Sequence, residues 1–276
     1  MRSTVIILAL LAAACSGNTG VYELTGNAIG TSFSIKIARP AGSLDLDELA
    51  EQVSEVIDDV DASMSTWRDD SELSAFNANT SIDWVPVSRP LCEIVSRAQQ
   101  LAHETGGALD VTVGPLVNLW GFGPAGSRSE PPAPAQIDAV ADSVGFRMLQ
   151  ADCSQPALRK QVPSLYVDLS AVAKGHAVDR VATLLDAANI DNYLVEIGGE
   201  LRARGVNAKQ QAWAIAIEKP IPGGRGVQTI VPLSNAAMAT SGDYRNFFEY
   251  DGRIYSHTID PRTARPVMHD AASVTV

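Results

Sequence analysis

The sequence predicts an α+β fold in which packed helices cover a mixed, largely antiparallel sheet. Helical stripes and strand-like alternations are interspersed along the whole chain, which is typical of this class. The second half consists mainly of short alternating segments, of which Trp213, Ile215 and Ile217 are the clearest. Because 276 residues with 46% hydrophobic content can bury one large core, we expect a single domain over residues 15–276.

The first 14 residues predict a signal peptide. The uncharged stretch after Arg2 is shorter than the ~20 residues that span a bilayer. Ala12-Ala13-Ala14 precedes Cys15 in the pattern of a bacterial lipoprotein cleavage site. We therefore expect lipids on Cys15 and a protein on the periplasmic side of the inner membrane, attached only through that lipid anchor. Ordinary secretion without a lipid is the alternative.

Each element follows from a local pattern. The alternation through Phe33, Ile35 and Ile37 predicts a half-buried strand within residues 21–39. An apolar stripe over residues 46–64, with Ser43 as a possible cap, predicts the first helix. The remaining predictions are a helix at 89–104, an exposed loop at 121–134, a short helix at 135–143, a strand at 165–169, a helix at 173–188, strands at 193–197, 201–204, 213–217 and 229–233, and a hairpin within 247–259 that turns at Asp251-Gly252.

Charge and cysteine content narrow the possible functions. The net charge is −11, with 21 Lys+Arg against 32 Asp+Glu and no basic cluster, which argues against a nucleic-acid partner. Besides Cys15, the only thiols are Cys92 and Cys153. An exported protein can oxidise such a pair. Because Cys92 falls in a predicted helix, however, we favour a buried free thiol over a disulfide.

Several common catalytic motifs are absent. The run Gly121-Phe122-Gly123-Pro124-Ala125-Gly126 matches G-x-G-x-x-G, but Pro124 and the following prolines prevent the helix that a dinucleotide site needs. A loop lying over a ligand fits this segment better. The sequence has no G-x-S-x-G, no P-loop and no H-E-x-x-H. The four histidines are poorly spaced for zinc, and we expect a structural role for His103 at a helix end.

Other segments combine glycines, hydroxyls and acids. In one of them, Asp168 ends an apolar strand and Lys174 lies one turn into the next helix. A buried acid needs a partner, so the first alternative is an Asp168–Lys174 ion pair. The second is an anion site at the helix N-terminus. Six such loops in a chain with 21 glycines suggest one large ligand enclosed by backbone.

Together these segments resemble the ApbE family of FAD:protein FMN transferases, over residues 24–276 and in family order. The matching pieces are Ile29-Gly30-Thr31-Ser32, Met64-Ser65-Thr66-Trp67 with Ser71-Glu72-Leu73-Ser74 and Phe76-Asn77, Gly107-Ala108-Leu109-Asp110 with Val113-Gly114-Pro115-Leu116-Val117-Asn118-Leu119-Trp120-Gly121-Phe122-Gly123, Asp168-Leu169-Ser170-Ala171 with Ala173-Lys174-Gly175, Glu196-Ile197-Gly198-Gly199-Glu200, Ala239-Thr240-Ser241-Gly242-Asp243-Tyr244, and Ser256-His257-Thr258-Ile259-Asp260-Pro261.

The resemblance implies a fold related to T-folds and an exported enzyme that moves the FMN half of FAD to a Ser or Thr hydroxyl of an acceptor protein, releasing AMP. The usual acceptors are subunits of membrane redox complexes, and Mg²⁺ lies at the pyrophosphate. By resemblance, the backbone carbonyl of Ala171 would bind the metal. The residues that would contact FAD are Ile29, Trp67, Ala108, Leu109, Asp110, Asp168, Lys174 and Ile259.

The chemistry of the residues adds two expectations. An acidic protein that binds a pyrophosphate needs positive charge close to the phosphates. We expect that charge from Mg²⁺, Lys174 and a helix N-terminus. His257 is the candidate base for the acceptor hydroxyl, because the unperturbed pKa of histidine lies nearest working pH. The alternatives are an FAD pyrophosphatase and a non-catalytic FAD-binding lipoprotein. A periplasmic solute-binding protein is disfavoured by the β-rich second half.

Three positions depart from the family pattern. Ile29 stands where Met is usual and His176 where Tyr is common, and both exchanges look tolerant of size. Ala264 replaces a usual glycine and would strain a turn if its φ were positive. The family continues into a helix that opens with Asp and Thr metal ligands, and we expect this sequence to be truncated at the C-terminus, with Val276 before that helix.

Overall fold

The computed structural model describes residues 20–40, 44–124, 126–221, 223–224 and 226–276. The predicted signal peptide, Cys15 and the Ser43 cap therefore lie outside the described residues. The elements are β1 Val21–Ala28, β2 Thr31–Ala38, α1 Leu46–Met64, α2 Glu72–Ala78, β3 Val85–Pro86, α3 Arg89–Glu104, α4 Gly114–Leu119, α5 Pro134–Ala141, a 3-10 turn Phe146–Met148, β4 Leu149–Asp152, β5 Ala157–Lys160, α6 Ser170–Ala187, β6 Tyr193–Ile197, β7 Glu200–Arg204, β8 Trp213–Glu218, β9 Val227–Leu233, β10 Ala236–Met238, β11 Thr240–Gly242, β12 Phe247–Tyr250, β13 Arg253–Ser256, β14 Ile259–Asp260, β15 Arg265–Pro266 and β16 Ser273–Thr275.

A five-stranded antiparallel sheet in the order β1-β2-β6-β7-β10 forms the centre of the fold. The predicted alternation in β2 is confirmed, since Phe33, Ile35 and Ile37 are all buried. Helices α1 and α6 pack beside this sheet, and the predicted stripe of α1 is buried from Leu49 to Met64. The α+β class with antiparallel pairing is thus confirmed. None of the described helices is long and apolar enough to cross a bilayer.

Three hydrophobic cores hold the described residues together. The largest core lies among α1, α3, α6 and the five-stranded sheet. A second core places Trp213, Ile215 and Leu233 of the β8–β9 ribbon against Ala38 and Ala203 of that sheet. The third core is separate from both and contains Leu116, Trp120, Ile137, Ile259 and Ala264. Strands β12, β13 and β14 contribute to this third core, and the C-terminal strands pair as short two-stranded ladders.

One strand prediction is incomplete and another is wrong, each for a local reason. Residues 21–39 form a hairpin and not one strand, because Ile29 and Gly30 adopt φ values of 53° and 69°, as in a type I′ turn. Residues 165–169 form no strand. The Asn77 amide donates to the Val167 carbonyl and accepts from its N–H, both at 2.8 Å, so a side chain takes the place of a neighbouring strand.

Other boundaries also differ from the predictions. Helix α6 begins at Ser170, three residues earlier than predicted. The predicted hairpin within 247–259 ends at Ser256, because Ile259–Asp260 pairs with Arg265–Pro266 across its own tight turn. The predicted helices at 89–104 and 135–143 are confirmed, the second with slightly different ends.

Cys92 and Cys153 form a disulfide, so the preference for a buried free thiol is wrong. Their Cα atoms lie 5.7 Å apart, although 61 residues separate them in sequence. Cys92 belongs to the buried face of α3, and Cys153 follows β4, which packs on the same helix. The helical position of Cys92 therefore favours the bond, because it directs the thiol at the β4–β5 turn.

Candidate functional site

The segment that carries Asp168 is held by neighbours on both sides. The Asn77 amide fixes Val167, and the Asp168 N–H donates to the Val111 carbonyl at 2.7 Å. These bonds place Asp168 at the start of α6, where its carboxylate accepts the Ser170 N–H at 2.8 Å. The helix N-terminus, with its outward N–H groups, is therefore part of a rigid surface.

Several matched segments converge on Tyr166. Burial raises the pKa of Tyr166, the Asp168 charge adds to that rise, and the nearby side chains of Asn118 and Thr66 partly offset it. A Cβ on Gly114 would lie 2.6 Å from the Tyr166 ring, so only glycine permits this approach. The segment after α1, helix α4 and the Asp168 segment therefore meet at Tyr166. We call this group, which consists of Thr66, Gly114, Asn118 and Tyr166, the Tyr166 cluster.

Trp67 follows this cluster directly in the chain and is largely open to solvent. Its side chain is 68% exposed, while its N–H donates to the Ser65 hydroxyl at 3.2 Å. A tryptophan with a fixed backbone and an exposed ring offers a stacking surface for a planar ligand. The contact between Trp67 and FAD stays a prediction.

The carboxylate of Asp110 accepts hydrogen bonds from the protein itself. It accepts the N–H and hydroxyl of Thr112 at 2.8 and 2.7 Å and the Phe146 N–H at 2.7 Å. Ala108 is exposed and Leu109 is half-buried. Sequence analysis did not predict that these residues differ in role. The Asp110 carboxylate stabilises the loop from inside, whereas Ala108 is exposed to solvent.

Lys174 pairs with Glu200, and the predicted Asp168–Lys174 pair is replaced by this arrangement. The Lys174 Nζ lies 3.1 Å from Oε1 of Glu200. Gly198, at φ 62°, makes room for it, because a Cβ there would lie 2.9 Å from Cδ of Lys174 and 2.8 Å from Cγ2 of Thr31. Since Glu200 offsets the Lys174 charge, Lys174 supplies less compensation for a pyrophosphate than expected.

The β1–β2 turn lies beside this pair. An open cavity of about 510 Å³ is lined by Asn27, Gly30, Thr31 and Ser32. Ile29 in the turn has φ 53°, which is unfavourable for a β-branched side chain. The exchange from Met to Ile is therefore more than a change of size, because it puts branching at a left-handed position.

His257 has a defined ring orientation. Its Nδ1 lies 3.2 Å from the carbonyl oxygen of Asn246, which also accepts the His257 backbone N–H at 3.0 Å. Because a carbonyl can only accept, Nδ1 carries the proton in the neutral ring and Nε2 keeps a free lone pair. The adjacent Thr258 donates to Asp243 at 2.8 Å, which fixes the loop before the hairpin.

A stack of aromatic rings connects His257 to the third core. Phe248 and Tyr255 face each other across the β12–β13 hairpin with centroids 5.1 Å apart. Phe122 stacks on Phe248 at 5.7 Å and meets the His257 ring edge-on at 6.4 Å. The next residue, Gly123, packs so closely on Asn118 that a Cβ would clash with its Oδ1. Phe122 thus links His257 to the contact between Gly123 and Asn118 of α4.

The turn after Ile259 confirms the strain expected at Ala264. Ala264 has φ 58° and lies in the third core, where its carbonyl accepts the indole N–H of Trp120 at 3.0 Å. Ile259 is itself buried in this core. The Ile259 side chain therefore stabilises the turn, and Ile259 can contact a ligand only through its backbone or the small part of its side chain that is exposed.

The third departure, His176, packs its ring into the protein from α6. Its Nε2 is buried without a hydrogen-bond partner among the described residues. Burial lowers the pKa of His176, and the nearby Arg180 charge lowers it further. Neutral imidazole is thus favoured at this position.

The residues described here do not assemble a metal site by themselves. No group of three or more His, Cys, Asp or Glu side chains converges anywhere in the described part of the chain. Ala171 lies exposed in the first turn of α6, one residue after Ser170. A cation bound there would draw most of its ligands from substrate phosphates and water, as Mg²⁺ commonly does.

Comparison with known proteins decides the family. The model of the ApbE family matches residues 29–276. This chain belongs to the ApbE family. The FAD:protein FMN transferase of Vibrio cholerae is 45% identical over 100% of this chain and 83% of its own length. That of Haemophilus influenzae is 43% identical over 98% of this chain and 80% of its own length.

Solved structures of ApbE proteins have the same fold. The flavin transferase ApbE from Vibrio cholerae superposes with a TM-score of 0.85 at 44% identity, covering 92% of this chain and 81% of that chain. The apo form of the flavinyl transferase ApbE from Pseudomonas stutzeri gives 0.82 at 38% identity, covering 92% and 78%. The resemblance and the fold predicted from the sequence are thus confirmed.

Within the ApbE fold, sequence analysis missed the residues that support the site. Asn77 and Tyr166 stood in or beside matched pieces without an assigned role, and Glu200 was noted only as the end of a glycine-rich loop. The signal available was their position: Asn77 follows the buried Phe76, and Glu200 follows two glycines. Neither pattern reveals a partner about 90 or 26 residues away.

Proposed function

We propose that this chain transfers the FMN half of FAD to a Ser or Thr hydroxyl of an acceptor protein and releases AMP. The Vibrio cholerae and Haemophilus influenzae relatives named FAD:protein FMN transferase support the reaction. The observation that carries it within this chain is His257, whose Nδ1 is held by the Asn246 carbonyl so that Nε2 carries the lone pair of the neutral ring. A protein that only bound FAD would have no need of such a base.

In the proposed reaction, the acceptor hydroxyl attacks the phosphorus of the FMN phosphate. A phosphorus–oxygen bond forms to the acceptor while the bond to the AMP phosphate breaks, and AMP leaves with the electron pair. Nε2 of His257 takes the hydroxyl proton as the new bond forms. In-line positioning of the two oxygens supplies much of the rate, as in other phosphoryl transfers.

FAD would lie across the surface between the Tyr166 cluster and the β1–β2 turn. We propose that Trp67 stacks on a planar ring and that the N-terminus of α6, beside Asp168, receives the pyrophosphate. The open cavity is lined by Asn27 and by residues 30–32 of the β1–β2 hairpin, and the side chains of Lys174 and Thr31 both lie next to Gly198. The remaining proposed contacts come from residues 108–110 and from Ile259.

A divalent cation is part of this proposal. The net charge of −11 and the carboxylate beside Lys174 leave little positive potential for a pyrophosphate. Mg²⁺ would neutralise phosphate charge, with the Ala171 carbonyl as the contribution from the described residues. Removing Mg²⁺ with EDTA is expected to abolish transfer, and adding it back is expected to restore it.

The acceptor is proposed to be a subunit of a membrane redox complex, met at the outer face of the inner membrane. The lipoprotein pattern at Cys15 and the Cys92–Cys153 disulfide support export. The test is lipid labelling of the full chain and of Cys15→Ser in cells. Label in the wild type alone supports the anchor, and equal absence from both rejects it.

The experiment that tests the function is incubation with FAD, Mg²⁺ and an acceptor domain. Flavin fluorescence that stays with the acceptor after denaturation supports transfer. Free FMN plus AMP, without labelled acceptor, would make the chain an FAD pyrophosphatase. Unchanged FAD that remains bound would leave it a flavin-binding lipoprotein.

A further inference from the structure

We propose that Glu200 is a substrate-binding residue that reads a neutral hydrogen-bond donor of the flavin nucleotide. One carboxylate oxygen holds Lys174, and the other accepts a hydrogen bond from an O–H or N–H of the substrate. This inference rests on the proposed function, because it deepens the description of the same site.

The first observation is an unmatched oxygen. Oε1 of Glu200 is 3.1 Å from Nζ of Lys174, whereas Oε2 is buried without a hydrogen-bond partner among the described residues. A buried carboxylate oxygen left without a donor costs about 1–3 kcal/mol. A ligand that supplies the missing donor would remove this cost.

The second observation is the position of the pair. The side chains of Lys174 and Thr31 both lie next to Gly198, and Thr31 lines the open cavity at the β1–β2 turn. The side chains of Lys174 and Glu200 are 32% and 21% exposed, so the pair borders solvent. A small movement of the Glu200 side chain, with the flexible Lys174 ammonium group following Oε1, presents Oε2 to an incoming group.

The chemistry of the pair defines what it recognises. A carboxylate repels phosphate, so Oε2 selects an uncharged donor such as a sugar or ribityl hydroxyl, a ring imide or an amino group. The ammonium group of Lys174 still has donors for a neighbouring oxygen of the same ligand. A nucleotide contains such donor–acceptor edges in both its FMN and its AMP half.

The test compares Glu200→Gln with a matched control in the same loop. Gln keeps an oxygen for Lys174 but places an NH₂ group where the substrate donor arrives. The control is Glu196→Gln, which removes the same charge from an oxygen that already accepts the Gly199 N–H at 2.7 Å. Thermal unfolding of both variants checks that they fold.

FAD, FMN and AMP are titrated separately into each protein. Glu200→Gln is expected to weaken FAD binding about tenfold, which corresponds to about 1.4 kcal/mol. It should weaken the binding of either FMN or AMP by the same factor and leave the binding of the other unchanged. The ligand whose binding weakens is the half of FAD that carries the donor. Glu196→Gln should bind all three like the wild type.

Unchanged or tighter binding of FAD by Glu200→Gln overturns the proposal, because a purely structural ion pair would give that result. Equal losses in Glu196→Gln would also overturn it, since the effect would then be one of net charge. If the wild type fails to bind FAD at all, the proposed function fails, and that outcome is distinct from both.

Discussion

The two halves of the proposed site are held in different ways. The core half, which consists of Trp67, Tyr166, Asp168 and Lys174, is built on segments fixed by the largest core and by the Asn77 amide. The hairpin half, which consists of Phe122, Phe248, Tyr255 and His257, depends on ring stacking over the third core and on short two-stranded ladders.

This difference teaches that the proposed binding residues and the proposed base belong to separate structural units. The core half offers a stacking ring, a helix N-terminus and an ion pair, all of which suit a nucleotide. The hairpin half offers a base with a fixed tautomer. Substitutions can therefore be chosen to affect one half and leave the other intact.

The largest effect is expected from the hairpin half. His257→Ala removes the proposed base, and transfer should fall by about 10²–10⁴-fold while FAD binding stays near the wild-type value. Transfer is measured as denaturation-stable flavin on the acceptor. His269→Ala is the matched control, because His269 is exposed elsewhere in the same region. A wild-type rate in His257→Ala would remove His257 from the mechanism.

The next effect concerns the stability of the core half. Replacing both cysteines in Cys92→Ala/Cys153→Ala should lower the free energy of unfolding by about 2–4 kcal/mol, because the bond closes a long loop. Urea titrations with and without reductant provide the measurement. Reductant should destabilise the wild type and leave the variant unchanged. Identical curves for all four samples would show that the disulfide contributes nothing.

A smaller effect is expected from the clamp on the Asp168 segment. Asn77→Ala leaves the N–H and carbonyl of Val167 without partners and should cost about 2 kcal/mol of stability. It should also weaken FAD binding, because Asp168 follows Val167 directly. Asn79→Ala is the control, since that side chain accepts only the Ser81 N–H. Comparable loss in both variants would argue against a specific clamp.

The smallest effects come from Ile29 and Ala264, two of the residues other than glycine that adopt a positive φ. Ala264→Gly should stabilise the chain by about 0.5–1 kcal/mol and leave FAD binding unchanged, because the strain there lies in the hairpin half. Ile29→Asn should stabilise by a similar amount, since Asn suits a type I′ turn. Because Ile29 is a proposed FAD contact, that variant should also bind FAD more weakly. Unaltered FAD affinity would exclude the Ile29 side chain as a contact.

Much of the fold could be predicted from local patterns, and the failures have physical causes. The alternation of β2 and the capped stripe of α3 report burial directly. The turn at Ile29 escaped notice because isoleucine disfavours the conformation it adopts there. The 165–169 segment has the composition of a strand, but its hydrogen bonds go to a side chain and a loop carbonyl.

The candidate site was predictable as an ordered set of segments but not as a set of contacts. The order of the motifs identified the family, and the pKa argument singled out His257. The sequence could not reveal that the Asp110 carboxylate is hydrogen-bonded to Thr112 and Phe146. Nor could it reveal that Lys174 forms its ion pair with Glu200 and not with Asp168. Such choices depend on distances between elements that only folding brings together.

The separation of binding from chemistry is tested most directly by measuring two quantities on the same preparations. These are the FAD dissociation constant and the single-turnover transfer rate at saturating FAD, for Trp67→Ala and His257→Ala. Loss of a stacking ring should raise the dissociation constant by about 10–100-fold and leave the saturated rate near wild type. His257→Ala should give the opposite pattern. If both variants lose binding and rate together, the account of two separable halves is contradicted.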